Sequence, residues 1–257
     1  MQPTASEPGE PARRRRIGVI GGVGPLATAW LYERLVALSD PRGSGHYPDI
    51  VIHNLPFEVR SEVAFVAGDD AGEDAEHLTD QLVRSVRVLA TAGAGHVLLP
   101  CNTLHSLLPA VRARLGTQAP QVAHMPQLTA QAVPAGSRVL VLGTGATVRL
   151  DYYGGLLRER DCTVTYLDSG DQDWLETLIQ RAISENLAGL WPAIEQMVAA
   201  HVAVRRPDVV LLACTDLDTL GLDQVAGIPA IGSLQTLAGH GVTWLRGEQD
   251  VLAGAAR

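Results

Sequence analysis

The sequence predicts an α/β fold of two similar, pseudo-symmetric domains, each a parallel sheet flanked by helices, with a site in the cleft between them. Two apolar runs, His96–Leu99 and Val209–Ala213, are long enough for buried strands, and each leads into a cysteine followed by small polar residues. Buried parallel strands have this pattern, and their carboxyl ends are where α/β proteins bind ligands. A repeat points the same way, because Arg16–Gly22 resembles Arg138–Thr144, a short apolar strand ending in a turn.

The other elements follow from hydrophobic periodicity. A helical stretch with aromatic residues follows each repeated strand, and amphipathic helices precede each cysteine strand. These amphipathic helices are predicted at residues 71–92, 172–184 and 189–204. Alternating strands and helices favour parallel sheets with right-handed crossovers.

The repeat also predicts domain boundaries. Residues 1–16 are rich in Pro, Glu, Ala and Arg without apolar periodicity, so we expect a disordered tail. The first α/β domain is predicted to take residues 17–117 plus about 218–257, and the second to take residues 118–217. Prolines and a glycine near 117–137 indicate a connection between them. The last stretch is predicted to return to the first domain, with Ile228–Ile231 as its strand.

Composition limits the classes of function. A net charge of −8 and a hydrophobic fraction of 46% predict a globular protein without general attraction to nucleic acid or to anionic membranes. Arg13–Ala29 resembles a signal peptide, with basic residues followed by an apolar stretch. We do not predict one, because four glycines and a proline interrupt the apolar part and the pattern recurs in mid-chain. Three cysteines without CxxC spacing favour free thiols in a reducing compartment, so we expect a cytoplasmic location.

The chain contains no lysine, since all 20 of its basic residues are arginine. A pyridoxal-phosphate enzyme needs a lysine for its Schiff base, and a Walker P-loop needs one for its phosphates. Both classes are therefore excluded.

Four motifs together identify a family resemblance. They are Gly18–Thr28, Pro100–His105, Gly143-Thr144 with Thr147, and Cys214–Leu217. In this order and on repeated halves, they resemble the aspartate/glutamate racemase superfamily, most closely its aspartate racemase branch, from about residue 16 to 245. The resemblance implies an isomerase that works without a cofactor or metal on an amino acid or related carboxylate, with aspartate or glutamate as the default substrate. It also implies a homodimer.

The two cysteines suit this chemistry independently of the family. Inverting a stereocentre beside a carboxylate needs one group to remove the α-proton from one face and another to return a proton to the other face. A thiolate and a thiol suffice, because the cysteine pKa of about 8.5 is easily tuned. We therefore predict Cys101 and Cys214 as the catalytic pair. Donors near the developing charge are expected from the residues that follow them, Asn102, Thr103 and Thr215.

The resemblance adds further candidates for the site. It implies substrate binding by Asn54, Arg60, Thr144 and Thr147, with Arg60 as a clamp for a distal carboxylate. Supporting roles are expected for Thr28, His105 and Asp216. His105 is expected to orient the first thiol or to cap local structure. Zinc is not expected, because neither cysteine has a partner at metal-ligand spacing and His105 is the only candidate.

Departures from the family concern the substrate. Trp174 aligns with a lysine that clamps the distal carboxylate, Asp216 replaces a glutamate, and an acidic residue and a histidine are missing near Gly232–Leu237. These changes predict a modified or less acidic substrate.

Several alternatives remain open. A related isomerase or decarboxylase would use one cysteine as a nucleophile, and a degenerate relative would only bind a small acid. A buried cysteine can also be a plain core residue, which is the prediction for Cys162. A redox pair is the remaining reading of two facing thiols, but their spacing does not match a thioredoxin-like motif.

Overall fold

The computed structural model describes residues 15–40, 45, 47–56, 72–182 and 187–248. Arg60 and most of the predicted tail lie outside the described residues. The strands are β1 Arg16–Gly21, β2 Asp49–Asn54, β3 His96–Leu98, β4 Gln121–Val122, β5 Arg138–Leu142, β6 Thr163–Thr165, β7 Val209–Leu212, β8 Gln224–Val225 and β9 Ile228–Gly232. The helices are α1 Pro25–Ser39, α2 Glu73–Thr91, α3 Leu108–Leu115, α4 Met125–Ala132, α5 Gly145–Arg149, α6 Tyr152–Arg158, α7 Ser169–Ala182, α8 Leu187–Arg205, α9 Thr215–Asp218 and α10 Ser233–Arg246, with a 3₁₀ turn at Thr103–Leu107.

The predicted fold class is confirmed, because the strands form two sheets with helices on their faces. The first sheet has the order β2-β1-β3-β4 and is parallel throughout. The second has the order β6-β5-β7-β9-β8, in which only β8 runs antiparallel to its neighbour. In both sheets the repeated strand, β1 or β5, lies beside the cysteine strand, β3 or β7. The repeat in the sequence thus corresponds to the same strand order in both sheets.

Local sequence signals set several helix ends. Proline occupies the first turn of α1, α3 and α4, where its missing N–H costs no hydrogen bond. α2 begins with Glu73, Asp74 and Glu76, whose charges favour a helix N-terminus. α10 ends at Gly247 in the left-handed conformation (φ 73°) that a C-cap glycine adopts readily.

The predicted placement of the last strand is wrong. β9 pairs with β7 in the second sheet, and β4, which was assigned to the second domain, pairs with β3 in the first. Each of these strands follows the cysteine strand of its sheet along the chain, and strands that are close in sequence usually lie side by side in a sheet.

It is the helix after β9 that returns to the first domain. α10 packs against α1, α4 and β1. A Cβ atom at Gly241 would lie 2.8 Å from Leu35 Cδ2 and 2.9 Å from Leu98 Cδ1, so glycine permits this close approach.

The core is divided over both faces of both sheets. α2 and α3 cover one face of the first sheet, and α1, α4 and α10 cover the other. In the second sheet, α7 and α8 cover one face and α6 covers the other. α4 contributes to both domains, because Met125 and Leu128 belong to the first core while Ala130 belongs to the second. Among the described residues, no helix is long and apolar enough to cross a bilayer.

Candidate active site

Both predicted catalytic cysteines lie just beyond the carboxyl ends of equivalent strands. Cys101 follows β3 and is 7% exposed, while Cys214 follows β7 and is 5% exposed. Neither is part of a disulfide bond. The third cysteine, Cys162, lies in the core of the second domain as predicted, with its sulfur 3.5 Å from the Pro134 carbonyl oxygen.

The surroundings of Cys214 favour its protonated form. Burial raises the pKa of its thiol well above the ordinary value, and the negative charge of Asp216 raises it further. The N–H groups of Leu217 and Asp216, at the start of α9, act in the opposite direction. A charge on Cys101 also raises this pKa, so the two cysteines lie within electrostatic reach of each other.

The glycine turn after β1 approaches the second cysteine segment. Gly22 has φ 97°, and a Cβ atom there would overlap with the Leu55 carbonyl group. A Cβ atom at Gly24 would lie 4.0 Å from Thr215 Oγ1 and from Asp216 Oδ1. The glycine turn after β1 in the first domain therefore lies against α9, the helix that follows Cys214 in the second domain.

Thr28 and Asn54 support this turn. The Thr28 hydroxyl donates to the Gly24 carbonyl at 3.3 Å, one helical turn earlier. Asn54 ends β2, directly opposite Gly21 in the register, and its side chain is exposed. Its Oδ1 atom lies 3.2 Å from the position of a Cβ atom at Gly21. Both residues thus lie at the carboxyl edge of the first sheet.

Thr144 and Thr147 form the start of α5 at the carboxyl end of β5. Thr144 is the N-cap, and its Oγ1 accepts the Thr147 N–H at 3.3 Å. The two hydroxyls are 3.2 Å apart. Thr147 is 2% exposed, so Thr144 is the more accessible of the pair.

Two residues of α7 that the sequence analysis did not identify contact the same turn. Gln172 Nε2 donates to the Gly143 carbonyl at 2.9 Å, and Glu176 Oε2 accepts the Gly145 N–H at 2.6 Å. The Arg149 guanidinium flanks Gly145 as well, 3.8 Å from the position of a Cβ atom there. Gln172 and Glu176 are four residues apart and therefore lie on one face of α7. This pattern can be recognised only once the helix has been located in the structure.

Trp174 does not share that face. It lies two positions from both Gln172 and Glu176, which is about 200° around an α-helix. Its side chain is 38% exposed. The helix geometry gives no support to the interpretation that Trp174 takes the place of a substrate clamp, because α7 presents Gln172 and Glu176, and not this position, to the Gly143–Gly145 turn.

Asn102, which was predicted to bind substrate, has buried protein partners. Its Oδ1 accepts the Tyr153 hydroxyl at 2.7 Å, and its Nδ2 donates to Ser233 Oγ at 2.9 Å. Thr103 is 6% exposed and begins the 3₁₀ turn, where its carbonyl accepts the Ser106 hydroxyl. Thr215 is 7% exposed and begins α9.

His105 holds the backbone of Cys101 by a hydrogen bond to its carbonyl oxygen. Its Nδ1 lies 2.7 Å from the Cys101 carbonyl oxygen, and its Nε2 accepts the Met125 N–H at 3.0 Å. Burial lowers the pKa of this imidazole to about 4, so it is neutral and donates from Nδ1. His105 thereby links the first cysteine to the shared helix α4. Among the described residues, no group of three or more His, Cys, Asp or Glu could hold a metal ion.

Two aspartates follow Cys214. Asp216 is half-buried, and burial raises the pKa of its carboxyl group. Asp218 is fully buried, and its Oδ2 accepts the N–H groups of Leu234 at 2.6 Å and Gln235 at 2.8 Å. Sequence patterns gave no sign of Asp218, because its partners lie across β8 and β9.

Comparison with known proteins agrees with this geometry. The family model described as Asp/Glu/Hydantoin racemase matches residues 20–240. Picrophilus torridus aspartate racemase superposes with a TM-score of 0.71 at 23% identity, over 91% of this chain and 95% of that one. An aspartate racemase homologue from Pyrococcus horikoshii OT3 gives 0.68 at 21%, over 90% and 99%.

Francisella tularensis glutamate racemase, solved with D-glutamate, gives a TM-score of 0.59 at 13% identity, over 95% of this chain and 85% of that one. At these identities the superpositions establish the fold, while the family match covers most of the sequence. The chain belongs to the Asp/Glu/hydantoin racemase family and is an isomerase of the racemase class.

Proposed function

We propose that this protein inverts the α-carbon of an amino acid or related carboxylate without a cofactor, using Cys101 and Cys214 as an acid/base pair. The observation that carries the proposal is the equivalence of the two cysteines. Each follows the strand beside the repeated strand of its own sheet, and the charge of one acts on the other. Two like groups, one from each domain, are what proton transfer on opposite faces of a carbon requires.

The raised pKa of Cys214 favours its thiol form in the resting enzyme, so Cys214 is the proton donor of the proposed pair. We therefore assign the role of base to Cys101. The Cys101 thiolate takes the α-proton, and the Cys214 thiol gives its proton to the opposite face of the carbanion. Cys101 then holds a thiol and Cys214 a thiolate, which is the state ready for the reverse reaction.

Donors at the strand ends stabilise the negative charge that spreads onto the carboxylate. We propose Thr144, at the start of α5, and Thr215, directly after Cys214, as two of these donors, because both lie at the carboxyl ends of strands of the second sheet. Thr103 follows the first cysteine segment and offers a further donor. Asn54 and Arg60 are proposed to hold the rest of the substrate.

Aspartate or glutamate is the default substrate, in line with the names of the solved relatives. The exposed position of Trp174 removes one reason for expecting a less acidic substrate. Glu176 is a separate reason to expect a less acidic substrate, because its carboxylate accepts the hydrogen bond of the Gly145 N–H.

Deuterium exchange tests the proposal. The protein is incubated with each enantiomer of aspartate and glutamate in deuterated water with fresh reductant, and α-deuterium is followed by mass spectrometry. We expect exchange together with inversion. Absence of exchange from every amino acid in a panel that includes apolar ones would contradict the racemase proposal.

Cysteine variants test the mechanism. Cys101→Ser and Cys214→Ser are each expected to abolish two-way turnover, while exchange with one enantiomer can survive. Cys162→Ser is the matched control, since this buried thiol lies in the core of the second domain. It should racemise at the wild-type rate.

The raised pKa of Cys214 also favours a second candidate, an isomerase or decarboxylase in which Cys101 alone acts as a nucleophile. In that case Cys214→Ser would keep full turnover and a covalent adduct would form on Cys101. Intact-protein mass spectrometry after acid quenching detects such an adduct.

We further propose that the protein works as a homodimer in the reducing cytoplasm, where its cysteines, none of which is in a disulfide, stay reduced. Light scattering at micromolar concentration should give about twice the chain mass of 27.3 kDa. A mass near one chain would contradict the dimer.

A further inference from the structure

A buried polar triad links the two domains beside the cysteines. Tyr153 on α6 donates its hydroxyl to Asn102 Oδ1 at 2.7 Å, and Asn102 Nδ2 donates to Ser233 Oγ at 2.9 Å. Tyr153 and Ser233 are 0% exposed and Asn102 is 6% exposed. The triad therefore joins the loop after β3, a helix of the second domain and the first residue of α10.

This triad is close to both thiols. Asn102 is the next residue after Cys101, so whatever fixes Asn102 restrains the cysteine one peptide bond away. The negative charge of a Cys214 thiolate raises the pKa of Tyr153, which places the phenol within electrostatic reach of the second cysteine. Tyr153 thus forms a hydrogen bond to the loop that carries Cys101 and also lies within electrostatic reach of the Cys214 thiol.

The Tyr153 hydroxyl stays protonated and therefore remains a hydrogen-bond donor. Burial raises the pKa of its hydroxyl above the ordinary value, although the hydroxyls of Thr129 and Ser233 act in the opposite direction. Asp218 raises it as well. Thr129 lies on α4, the helix shared by the two domains, so the phenol is surrounded by groups from three helices.

Core packing alone does not require this hydroxyl. The ring of Tyr153 packs with Leu157, Val139 and Val141 in the apolar core of the second domain, and a phenylalanine would fill the same space. A buried hydroxyl is tolerated where its partners are present, and it then fixes one arrangement of the groups around it. The arrangement fixed here is that of the loop carrying Cys101.

We propose that Tyr153 is a positioning residue of the racemase site, which acts through Asn102 to hold the Cys101 thiol in place relative to Cys214. This inference rests on the proposed acid/base roles of the two cysteines. In it, the Asn102 side chain serves the protein scaffold, with the substrate left to the neighbouring donors.

The test compares Tyr153→Phe with Tyr166→Phe. Tyr166 is also in the second domain and loses a comparable hydrogen bond, from its hydroxyl to Asp151 Oδ1 at 2.7 Å. Tyr153→Phe should lower kcat by about 10- to 100-fold, since a displacement of about 1 Å at a reacting group costs on the order of 100-fold. KM should change less than twofold. Tyr166→Phe should leave kcat within twofold.

An isotope effect separates positioning from general damage. Displacing Cys101 alone should raise the primary deuterium isotope effect for the enantiomer whose α-proton Cys101 removes. It should not raise the effect for the other enantiomer, because Cys214 removes that α-proton and Cys101 acts only in the later protonation step. An equal change for both enantiomers would overturn the proposal.

A double-mutant cycle tests the route through Asn102. Tyr153→Phe combined with Asn102→Ala should be no slower than Asn102→Ala alone. Multiplicative losses would show that Tyr153 acts by another path and would overturn the proposal.

One readout is independent of racemisation. The rate of iodoacetamide labelling at Cys101, measured by peptide mass spectrometry, should change at least threefold in Tyr153→Phe and remain unchanged in Tyr166→Phe. If the wild-type protein exchanges no α-proton, the proposed function fails while this measurement still decides whether Tyr153 positions the cysteine. Unchanged labelling in both variants would refute the positioning role.

Discussion

The carboxylate of Asp218 fills the space that a side chain on Gly232 would occupy. A Cβ atom at Gly232 would overlap with Asp218 Oδ1. Gly232 is the N-cap of α10, and the two N–H groups that an N-cap side chain would bind, those of Leu234 and Gln235, both donate to Asp218. A residue 14 positions earlier thus caps the helix that returns to the first domain.

Moving the carboxylate back to the N-cap tests this relationship. Asp218→Ala should lower the free energy of unfolding by about 1–2 kcal/mol, the usual cost of a lost cap. Adding Gly232→Asp should recover most of the loss, because Gly232 has an extended backbone (φ −96°, ψ 136°) that suits an N-cap aspartate. Urea unfolding measures both. Gly232→Asp alone, with Asp218 present, is the control and should destabilise by overlap and charge repulsion.

Acid should destabilise the protein through two buried histidines. Burial lowers the pKa of both His96 and His105 to about 4, whereas an unfolded histidine titrates near 6.5. Between these values the unfolded state binds more protons, so stability is present above pH 6.5 and is lost as the pH falls towards 4. From pH 7 to 5 each histidine should cost about 2 kcal/mol.

Asp218 acts in the opposite direction over the same range. Burial raises its pKa to about 6, so the folded state gains its proton first and is stabilised by about 1 kcal/mol on the way to pH 5. Urea unfolding at pH 7 and 5 measures the net loss. His105→Asn keeps a donor for the Cys101 carbonyl and should flatten the dependence by about 2 kcal/mol. An equally steep profile in His105→Asn would contradict the prediction.

The alkaline limb of the pH–rate profile should report Cys214. In the proposed mechanism this thiol must be protonated, and its raised pKa should keep kcat/KM high to an alkaline pH. Asp216→Asn removes a charge that raises this pKa and should shift the limb to lower pH. Asp208→Asn, far from the site at the salt bridge with Arg138, is the control. A limb that stays in place in Asp216→Asn would exclude Cys214 as its source.

Substrate preference should follow Glu176 and not Trp174. Glu176→Gln removes a negative charge beside Gly145 and Arg149. The ratio of kcat/KM for aspartate to kcat/KM for apolar amino acids should therefore rise about fivefold, which corresponds to about 1 kcal/mol for the loss of one nearby charge. Trp174→Lys should change the same ratio less than twofold, because this side chain is on the other side of α7. A strong gain for dicarboxylates in Trp174→Lys would restore Trp174 as a pocket residue.

Much of the fold was predictable because its signals are local. Continuous apolar runs mark β1, β5 and the two cysteine strands, and 3.6-residue periodicity marks α2, α7 and α8 to within a few residues. The placement of β9 was not predictable, since nothing in Ile228–Ile231 selects one sheet over the other. Its pairing with β7 is set by the tertiary structure.

The candidate site likewise contains residues that could be predicted from local sequence and residues that could not. Its cysteines and small polar residues were identified because each follows a strand directly, and strand ends of a parallel sheet share an edge. Tyr153, Ser233, Glu176 and Asp218 were missed, because their hydrogen-bond partners lie between 16 and 131 residues away along the chain.

The sequence by itself determined that the two halves repeat and that a thiol ends the equivalent strand of each. These properties reside in short segments whose burial and periodicity are set by their own residues. Only the tertiary structure decided that Asn102 binds Tyr153 and Ser233, that Asp218 caps α10, and that Trp174 faces away from the turn after β5. A buried polar group takes whichever partner the folded chain brings within about 3 Å, and that distance is fixed by how helices and sheets pack.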